Sequence, residues 1–390
     1  MFEESEKMKE FESAIFTQIN ELIDVEKANG KDVIMLNIGN PDLPPAFHVM
    51  QALKESASDP ENYGYMLGAG APELLKAIVD WYKKNYGVTL DPDSEVLTLL
   101  GSQEGLAHIF FSLINPGDVV LVPDPGYPVF EFAPRVAGAE IYRMPLKEEN
   151  NYLPDLKAID REILKKARAM ILNYPNNPLA ATAPKAFLEE VVQFAKENQI
   201  LICYDFAYST LIEDDMESIS ILSIPGAKDV AIEFNSLSKT FSLPGCRLGY
   251  VLGNSKALKM LAKLKSYFDY GTFYPLQKAA IAALTGPQEC VKETAYIYQR
   301  RRKIVADALQ ELGFGIKTPK ATMYVWARIP GEQSSYDFAI SMLKEASVSV
   351  VPGECFGECG KGYIRVALVE DEERLVEAMR RVKIWLNKII

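Results

Sequence analysis

A lysine between small hydroxyl residues and an arginine is the part of this chain best suited to covalent chemistry. Ser236 and Ser238 precede Lys239 closely, and Arg247 follows it by eight residues. A nearby cation and desolvation lower the pKa of a lysine, which makes its amine available for imine formation. Two hydroxyls and a guanidinium are also donors that a phosphate monoester accepts. A lone lysine is more often solvated in a Ser-rich turn, so other elements must support the chemistry.

Three further polar residues follow segments that are typical of buried strands. Ser102 opens a predicted helix, Asn177 lies in the turn 173–178, and Asp205 ends an apolar run. Each has an ordinary structural alternative: a helix cap, a rigid turn between prolines, and an N-cap. Ligands of open α/β sheets bind outside the carboxyl ends of the strands. A carboxylate such as Asp205, buried there, favours a cationic partner, and a protonated pyridine nitrogen is one such partner.

Short apolar segments alternate with helical patterns, which predicts an α/β fold with a mostly parallel sheet covered by helices. The predicted strands of this sheet are 96–100, 119–122, 141–144, 169–172, 200–204, 231–234 and 248–252. Predicted helices in the same part of the chain are 72–86, with Pro72 at its start and Gly87 at its end, 102–114 and 185–198. An amphipathic helix over 11–30 and a strand over 33–38 precede them.

The pattern changes near residue 286, which predicts a second, smaller α+β domain. A long charged helix covers 288–312, strand-like segments cover 322–328, 347–351 and 362–368, and a terminal helix starts near 371. We therefore assign 46–285 to a large domain, and 1–45 with 286–390 to a small one.

Composition excludes several classes of protein. The chain has 390 residues, 48% of them hydrophobic and 24% charged, with a net charge of -11. This acidity disfavours nucleic acids and anionic membranes as partners, and we expect the basic run Arg300–Arg302 to be a solvated helix face. No apolar run is long enough to span a bilayer, and the acidic start is no signal peptide. Five cysteines and two histidines suggest reduced thiols in the cytoplasm and no metal site.

Seven motifs together resemble the class I/II aminotransferases of fold type I, enzymes that depend on pyridoxal 5'-phosphate. The resemblance runs from about residue 35 to residue 368. The motifs, in the family's order, are Gly39-Asn-Pro-Asp42, Gly101-Ser-Gln-Glu-Gly105, Pro123-Asp-Pro-Gly-Tyr-Pro128, Asn173-Tyr-Pro-Asn-Asn-Pro178, Asp205-Phe-Ala-Tyr208, Ser236-Leu-Ser-Lys239 through Arg247, and Pro352-Gly to Arg365. The fold that this implies has a large domain with a mostly parallel seven-stranded sheet and a smaller α+β domain.

The resemblance also implies a role for each site residue. Lys239 would bind the cofactor covalently and act as acid and base, and Asp205 would pair with the ring nitrogen. The implied cofactor-binding residues are Ser102, Gln103, Glu104, Tyr127, Asn177, Asp205, Tyr208, Ser236, Lys239, Arg247 and, in the neighbouring subunit of a homodimer, Tyr65. The implied catalytic residues are Lys239, Asp205 and Tyr208, and the implied substrate-binding residues are Gly39, Asn177 and Arg365. No residue is implied as a metal ligand.

The implied reaction is a ping-pong transfer of an amino group between an L-amino acid and a 2-oxo acid. The motifs are closest to the subgroup acting on LL-diaminopimelate, alanine, methionine or aspartate, with 2-oxoglutarate or pyruvate as acceptor. The segment Tyr267–Tyr274 has no arginine, which weighs against a strict aspartate enzyme. Leu179, Ala180, Pro244 and Cys246 depart from the family's usual residues and affect turn packing. A carbon-sulfur β-lyase on the same fold is the alternative.

Overall fold

The computed structural model describes residues 2–9, 11 and 15–389. Its strands are β1 (Ile34–Met35), β2 (Val96–Leu99), β3 (Val119–Asp124), β4 (Glu140–Pro145), β5 (Ala167–Asn173), β6 (Leu201–Asp205), β7 (Ala231–Ser236), β8 (Gly249–Gly253), β9 (Tyr324–Arg328), β10 (Val348–Ser349), β11 (Val351–Pro352) and β12 (Tyr363–Ala367). Its α-helices are α1 (Glu6–Lys9), α2 (Ile15–Ala28), α3 (Phe47–Ala57), α4 (Pro72–Tyr86), α5 (Ser102–Leu113), α6 (Val129–Val136), α7 (Arg161–Lys166), α8 (Lys185–Asn198), α9 (Leu237–Thr240), α10 (Ser255–Phe268), α11 (Tyr274–Thr285), α12 (Glu289–Glu311), α13 (Ser335–Ser341) and α14 (Glu372–Ile389).

A seven-stranded sheet confirms the predicted α/β fold. Its order is β2-β8-β7-β6-β5-β3-β4. Strand β8 runs antiparallel to β2 and β7, and every other pair is parallel. Strands β3 and β7 are buried along their whole length, because helices cover both faces of the sheet. The carboxyl ends of β5, β6 and β7 therefore lie side by side at one edge.

For the helices with clear terminal signals, the sequence predicted the first and last residues to within one or two positions. Helix α4 spans Pro72–Tyr86, and Gly87 ends it in the left-handed conformation, with φ 67°. Helix α8 spans Lys185–Asn198, the same bounds as the prediction. The helix predicted over 11–30 is shorter, since α2 starts at Ile15 and residues 12–14 lie outside the described part of the chain.

A second group of strands and helices has a core of its own. Strands β11, β12 and β9 form an antiparallel sheet, and β1 pairs with β10 in parallel. Residues of α12 and α14 pack with these strands around Tyr298, Val325 and Ile364. The strand predicted over 347–351 is split, because Val348 pairs with Ile34 whereas Val351 pairs with Arg365. This second core contains both early and late residues, in line with the assigned domains, whose boundaries stay a prediction.

The expectation that Arg300–Arg302 form a solvated face is wrong for two of the three residues. Arg301 and Arg302 are buried, with 3% and 2% of their surface exposed. Arg301 donates to both carboxylate oxygens of Asp42, at 2.7 and 2.8 Å. Arg302 donates to the carbonyl of Thr322 at 2.6 Å. Helical periodicity does not reveal these partners, because both lie outside α12, 259 and 20 residues away.

The five cysteines are free thiols. Among the residues described, no cluster of three or more His, Cys, Asp or Glu side chains could hold a metal ion. None of the helices described has both the length and the apolar character to cross a membrane.

Candidate active site

A cavity of about 530 Å³ lies at the carboxyl ends of the central strands, between the large sheet and the second core. Its charged lining residues are three cations, Lys239, Arg247 and Arg365, and one carboxylate, Asp205. Other polar groups that face it come from Ser102, Gln103, Tyr127, Asn177, Tyr208, Ser236 and Tyr324. An excess of positive charge in a cavity favours a ligand that carries more than one negative group.

Lys239 lies on the short helix α9, directly after β7. The Ser236 hydroxyl caps this helix by accepting from the Ser238 N–H at 3.2 Å. The Lys239 amine donates to the carbonyl of Gly39 at 2.6 Å. Burial, followed by the nearby charges of Arg365 and Arg247, lowers the pKa of Lys239 to about 8, although Asp205 opposes the shift. About a tenth of this amine is therefore unprotonated at pH 7, far more than of an ordinary lysine.

Asp205 is the last residue of β6, next to the ends of β5 and β7. The Ala207 N–H donates to its carboxylate at 3.1 Å, and the Asn173 side chain donates to its carbonyl at 3.0 Å. Burial raises the pKa of Asp205 to about 6, and the Ala207 hydrogen bond and Lys239 reduce that shift. A cation placed against this carboxylate would therefore be bound strongly.

Arg365 reaches the cavity from the middle of β12 and is 2% exposed. Its Nη1 donates to the Asn177 side-chain oxygen at 2.9 Å, and its Nη2 donates to the Asn37 carbonyl at 2.7 Å. Its guanidinium carbon lies 4.4 Å from the ring centroid of Tyr324. These contacts hold the guanidinium plane in one orientation, as two-point recognition of a carboxylate requires.

The opposite end of the cavity is built for an anion. The first turn of α5 contributes Ser102 and Gln103, and N–H groups at a helix start favour negative charge. Gly101, with φ 84°, precedes this turn, and a side chain there would collide with the Arg247 guanidinium. A Cβ at Gly249 would lie 2.6 Å from the Ser102 amide nitrogen. Both glycines therefore allow close packing around the helix start.

Tyr127 and Tyr208 both line the cavity, as the sequence indicated. The Tyr127 hydroxyl donates to the Gln103 side-chain oxygen at 3.2 Å. The Tyr208 and Tyr324 hydroxyls lie 3.0 Å apart. Burial raises the pKa of Tyr127 and of Tyr208 above the ordinary tyrosine value, so both hydroxyls stay protonated donors.

Glu104 is not among the residues that line the cavity. Its carboxylate accepts from the Leu100 N–H at 3.0 Å and lies 2.7 Å from the His108 ring nitrogen. The buried Lys265 amine donates to it at 3.3 Å and to Asp269 at 2.7 Å. The Glu104 side chain therefore supports the turn before α5, and its contact with a ligand stays a prediction.

Tyr65 also lies outside the cavity lining and is 81% exposed. Its ring packs edge-on against Tyr270, with the centroids 5.1 Å apart. An exposed tyrosine at this position is free to reach another subunit, which stays a prediction.

Tyr324 is the main site residue that the sequence reasoning missed. It lies at the start of β9, inside the segment 322–328 that the sequence predicted only to be strand-like. A Cβ at Gly39 would overlap the Tyr324 hydroxyl, so the small size of Gly39 makes room for it. The sequence placed Asn173 only at the start of a turn, yet its side-chain amide connects Asp205 and Asn177. It donates to the Asp205 carbonyl at 3.0 Å and accepts from the Asn177 N–H at 2.8 Å.

Comparison with known proteins agrees with this geometry. Residues 31–382 match the family described as aminotransferase class I and II. The LL-diaminopimelate aminotransferase of Moorella thermoacetica is 43% identical over 99% of both chains. The substrate-bound BacF structure from Bacillus subtilis is 39% identical, with a TM-score of 0.94 over 98% of both chains. A probable N-succinyldiaminopimelate aminotransferase from Thermus thermophilus is 36% identical, with a TM-score of 0.91 over 95% of this chain and all of that one.

The chain therefore belongs to the class I and II aminotransferases. It is an enzyme that transfers amino groups, with the fold-type I architecture that the sequence predicted. The cavity around Lys239 is its candidate active site.

Proposed function

We propose that this chain binds pyridoxal 5'-phosphate in the cavity and transfers amino groups from LL-diaminopimelate to 2-oxoglutarate or pyruvate. The observation that carries the proposal is a half-buried lysine whose pKa is lowered to about 8 and which lines one cavity together with two guanidiniums and a buried carboxylate. The donor is supported by relatives 42% and 43% identical that bear the name LL-diaminopimelate aminotransferase. Alanine, methionine and aspartate are the other donors to compare.

The residues fit this cofactor at three points. The first turn of α5 and Arg247 supply N–H groups and charge for a phosphate. The buried carboxylate of Asp205 suits a protonated ring nitrogen, which would lower its raised pKa. Lys239 provides the amine that attaches the cofactor covalently. Ser236 would add to the phosphate site, Asn177 and Tyr208 would bind the ring oxygen, and Tyr127 would stack on the ring.

The protein's own residues would move the proton and hold the substrate. Bound pyridoxal phosphate supplies an electron-poor ring that stabilises negative charge at the substrate's α-carbon. Lys239, freed from the cofactor by the incoming amine, takes the α-proton and returns it at the other end of the reacting group. Arg365 fixes the α-carboxylate through its guanidinium fork, beside Gly39 and Asn177. Two substrates that differ in their side chains can then use one site in turn.

The dimer is part of the proposal. Tyr65 would reach the phosphate of the second subunit, which would give a homodimer with shared active sites. Its exposure and its place beside Tyr270 support this role.

The substitution Lys239→Ala tests the proposal. We expect turnover to fall by more than about 1,000-fold, since both the attachment point and the acid-base group are lost. The visible absorbance of the bound cofactor should disappear as well. Lys303→Ala is a matched control, because that lysine is exposed and pairs with Asp307 on α12. Retained amino transfer in Lys239→Ala would contradict the assignment.

A donor panel tests the specificity and the alternative chemistry. LL-diaminopimelate, alanine, methionine and aspartate are each supplied with 2-oxoglutarate and with pyruvate. We expect the highest kcat/KM for LL-diaminopimelate. Release of pyruvate and ammonia from cystathionine without an acceptor would instead identify a carbon-sulfur β-lyase.

A further inference from the structure

A second cavity, which we call the side cavity, opens beside the candidate active site. Its volume is about 710 Å³, and it shares Gln103 and Tyr127 with the active-site cavity as lining residues. Phe356, in another of its walls, has its ring centroid 4.9 Å from the guanidinium carbon of Arg365. Arg365, which lines the active-site cavity, therefore lies next to a wall of the side cavity.

The side cavity has five charged lining residues, the carboxylates Glu4, Asp124 and Glu131 and the guanidiniums Arg135 and Arg143. Arg143, on the edge strand β4, donates to both oxygens of Glu131, at 3.0 and 2.6 Å. Arg135 donates to the same carboxylate at 3.3 Å. All three residues line the side cavity. Glu131 engages two N–H groups of Arg143, and a guanidinium carries five, so Arg143 is oriented and still has donors for a second carboxylate.

The walls between these charges are largely apolar. Val129, Phe130 and Phe132 of α6 line the side cavity together with Phe356. Phe11, from the N-terminal segment, packs edge-on against Phe132 with the centroids 4.7 Å apart. The two cavities adjoin at Gln103 and Tyr127, with Arg365 lining the first and Arg143 the second. This arrangement matches an amino acid whose methylene chain ends in a charged group.

We infer that the side cavity receives the side chain of the amino donor and that Arg143, oriented by Glu131, binds a carboxylate at the far end of that side chain. The inference rests on the proposed function, because it takes Arg365 as the holder of the α-carboxylate. The ligand class is a long-chain amino dicarboxylate. A diamino dicarboxylate, such as LL-diaminopimelate, would also offer an ammonium group to Glu131.

Four donors of graded chemistry test this assignment. L-Lysine and L-2-aminopimelate have the same number of side-chain methylenes, and they end in an ammonium and a carboxylate, respectively. LL-Diaminopimelate carries both groups, and L-alanine carries neither. In Arg143→Met, kcat/KM for L-2-aminopimelate and LL-diaminopimelate should fall roughly 10- to 100-fold relative to L-lysine and L-alanine, the usual effect of losing a charge-assisted hydrogen bond.

The matched control is Arg168→Met. Arg168 is 54% exposed, pairs with Asp118 at 3.0 Å and lines neither cavity. It should leave the ranking of the four donors unchanged. The cofactor absorbance and Tm of both variants establish that they are folded and loaded.

The outcomes distinguish a failure of the proposed function from a failure of the side-cavity assignment. If the wild-type enzyme transfers amino groups from none of the donors, the proposed function fails. If it is active but Arg143→Met lowers all donors equally, or none, the side-cavity assignment is overturned and the proposed function stands. A change in subunit association without a change in donor ranking would likewise overturn it, since the pair would then serve an interface.

Discussion

Two buried carboxylates on adjacent strands have opposite surroundings. Glu233 lies in the middle of β7 and is fully buried, and Asp205 ends β6 with 7% of its surface exposed. Glu233 accepts from the Tyr82 hydroxyl at 2.7 Å, the Ser220 hydroxyl at 2.8 Å and the Ile221 N–H at 2.9 Å. Asp205 accepts from the Ala207 N–H and otherwise faces a cavity.

Burial raises the pKa of both groups, to about 7 for Glu233 and about 6 for Asp205. The difference lies in what stabilises each charge. Glu233 is surrounded by the protein's own donors, which come from α4 and from the loop before β7. It therefore holds these elements against β7 and has a structural role. Asp205 is not surrounded by donors in this way, so a cation that arrives with a ligand would stabilise its negative charge. A raised pKa alone therefore does not identify a functional carboxylate, whereas an open face beside it does.

The largest effect should come from Asp205→Asn. We expect kcat/KM to fall by more than about 1,000-fold, because the ring nitrogen of the cofactor would lose the carboxylate that keeps it protonated. The cofactor-free variant should be at least as stable as the wild type at pH 7, since a poorly solvated charge is removed. Steady-state kinetics measures the fall in kcat/KM, and urea unfolding measures the stability of the cofactor-free variant. A variant that is both inactive and strongly destabilised would remove the contrast with Glu233.

The reverse pattern is expected for Glu233→Ala. Removing this carboxylate leaves the Tyr82 and Ser220 hydroxyls buried without their acceptor, which should lower the free energy of unfolding by about 3 kcal/mol. Turnover per folded molecule should stay within about threefold of the wild type, because Glu233 does not line the cavity. Urea unfolding and kinetics on the folded fraction measure both quantities. Loss of activity in fully folded protein would show that Glu233 acts on the site.

The pH dependence of stability should separate the two carboxylates in the cofactor-free protein. Each has a folded pKa above its unfolded value, so the folded state binds more protons and stability falls as pH rises through that interval. Asp205 contributes between about pH 4 and 6, where a shift of this size corresponds to about 3 kcal/mol at most. Glu233 contributes between about pH 4.5 and 7.

Asp205→Asn should remove the lower part of this decline, and Glu233→Gln the upper part. Bound cofactor should cancel the Asp205 contribution alone. Urea unfolding at half-unit pH intervals is the measurement. If bound cofactor changed the stability only between pH 6 and 7, the carboxylate that meets the cofactor would be Glu233. That result would contradict the assignment of Asp205.

Local signals made the main sheet and most of the site predictable. Ser102 and Asn177 closely follow apolar runs and Asp205 ends one, which placed all three near strand ends, and parallel pairing brings such ends together. Distant partners were not predictable in the same way. Tyr324 reaches the site because β9 pairs with β12, and Arg301 is buried because Asp42 meets it from the other end of the chain. Neither pairing leaves a periodic pattern in the sequence.

The buried contact between Glu104 and Lys265 affects how anion binding in the cavity depends on ionic strength. A carboxylate in the first turn of α5 would by itself repel an anion at that helix start. The Lys265 ammonium, 3.3 Å from Glu104 and 2.7 Å from Asp269, offsets part of its charge. Lys265 is only 3% exposed. Dissolved salt screens such a buried pair weakly. The anion end of the cavity should therefore retain its ligand at salt concentrations that would release the same anion from a patch of surface arginines.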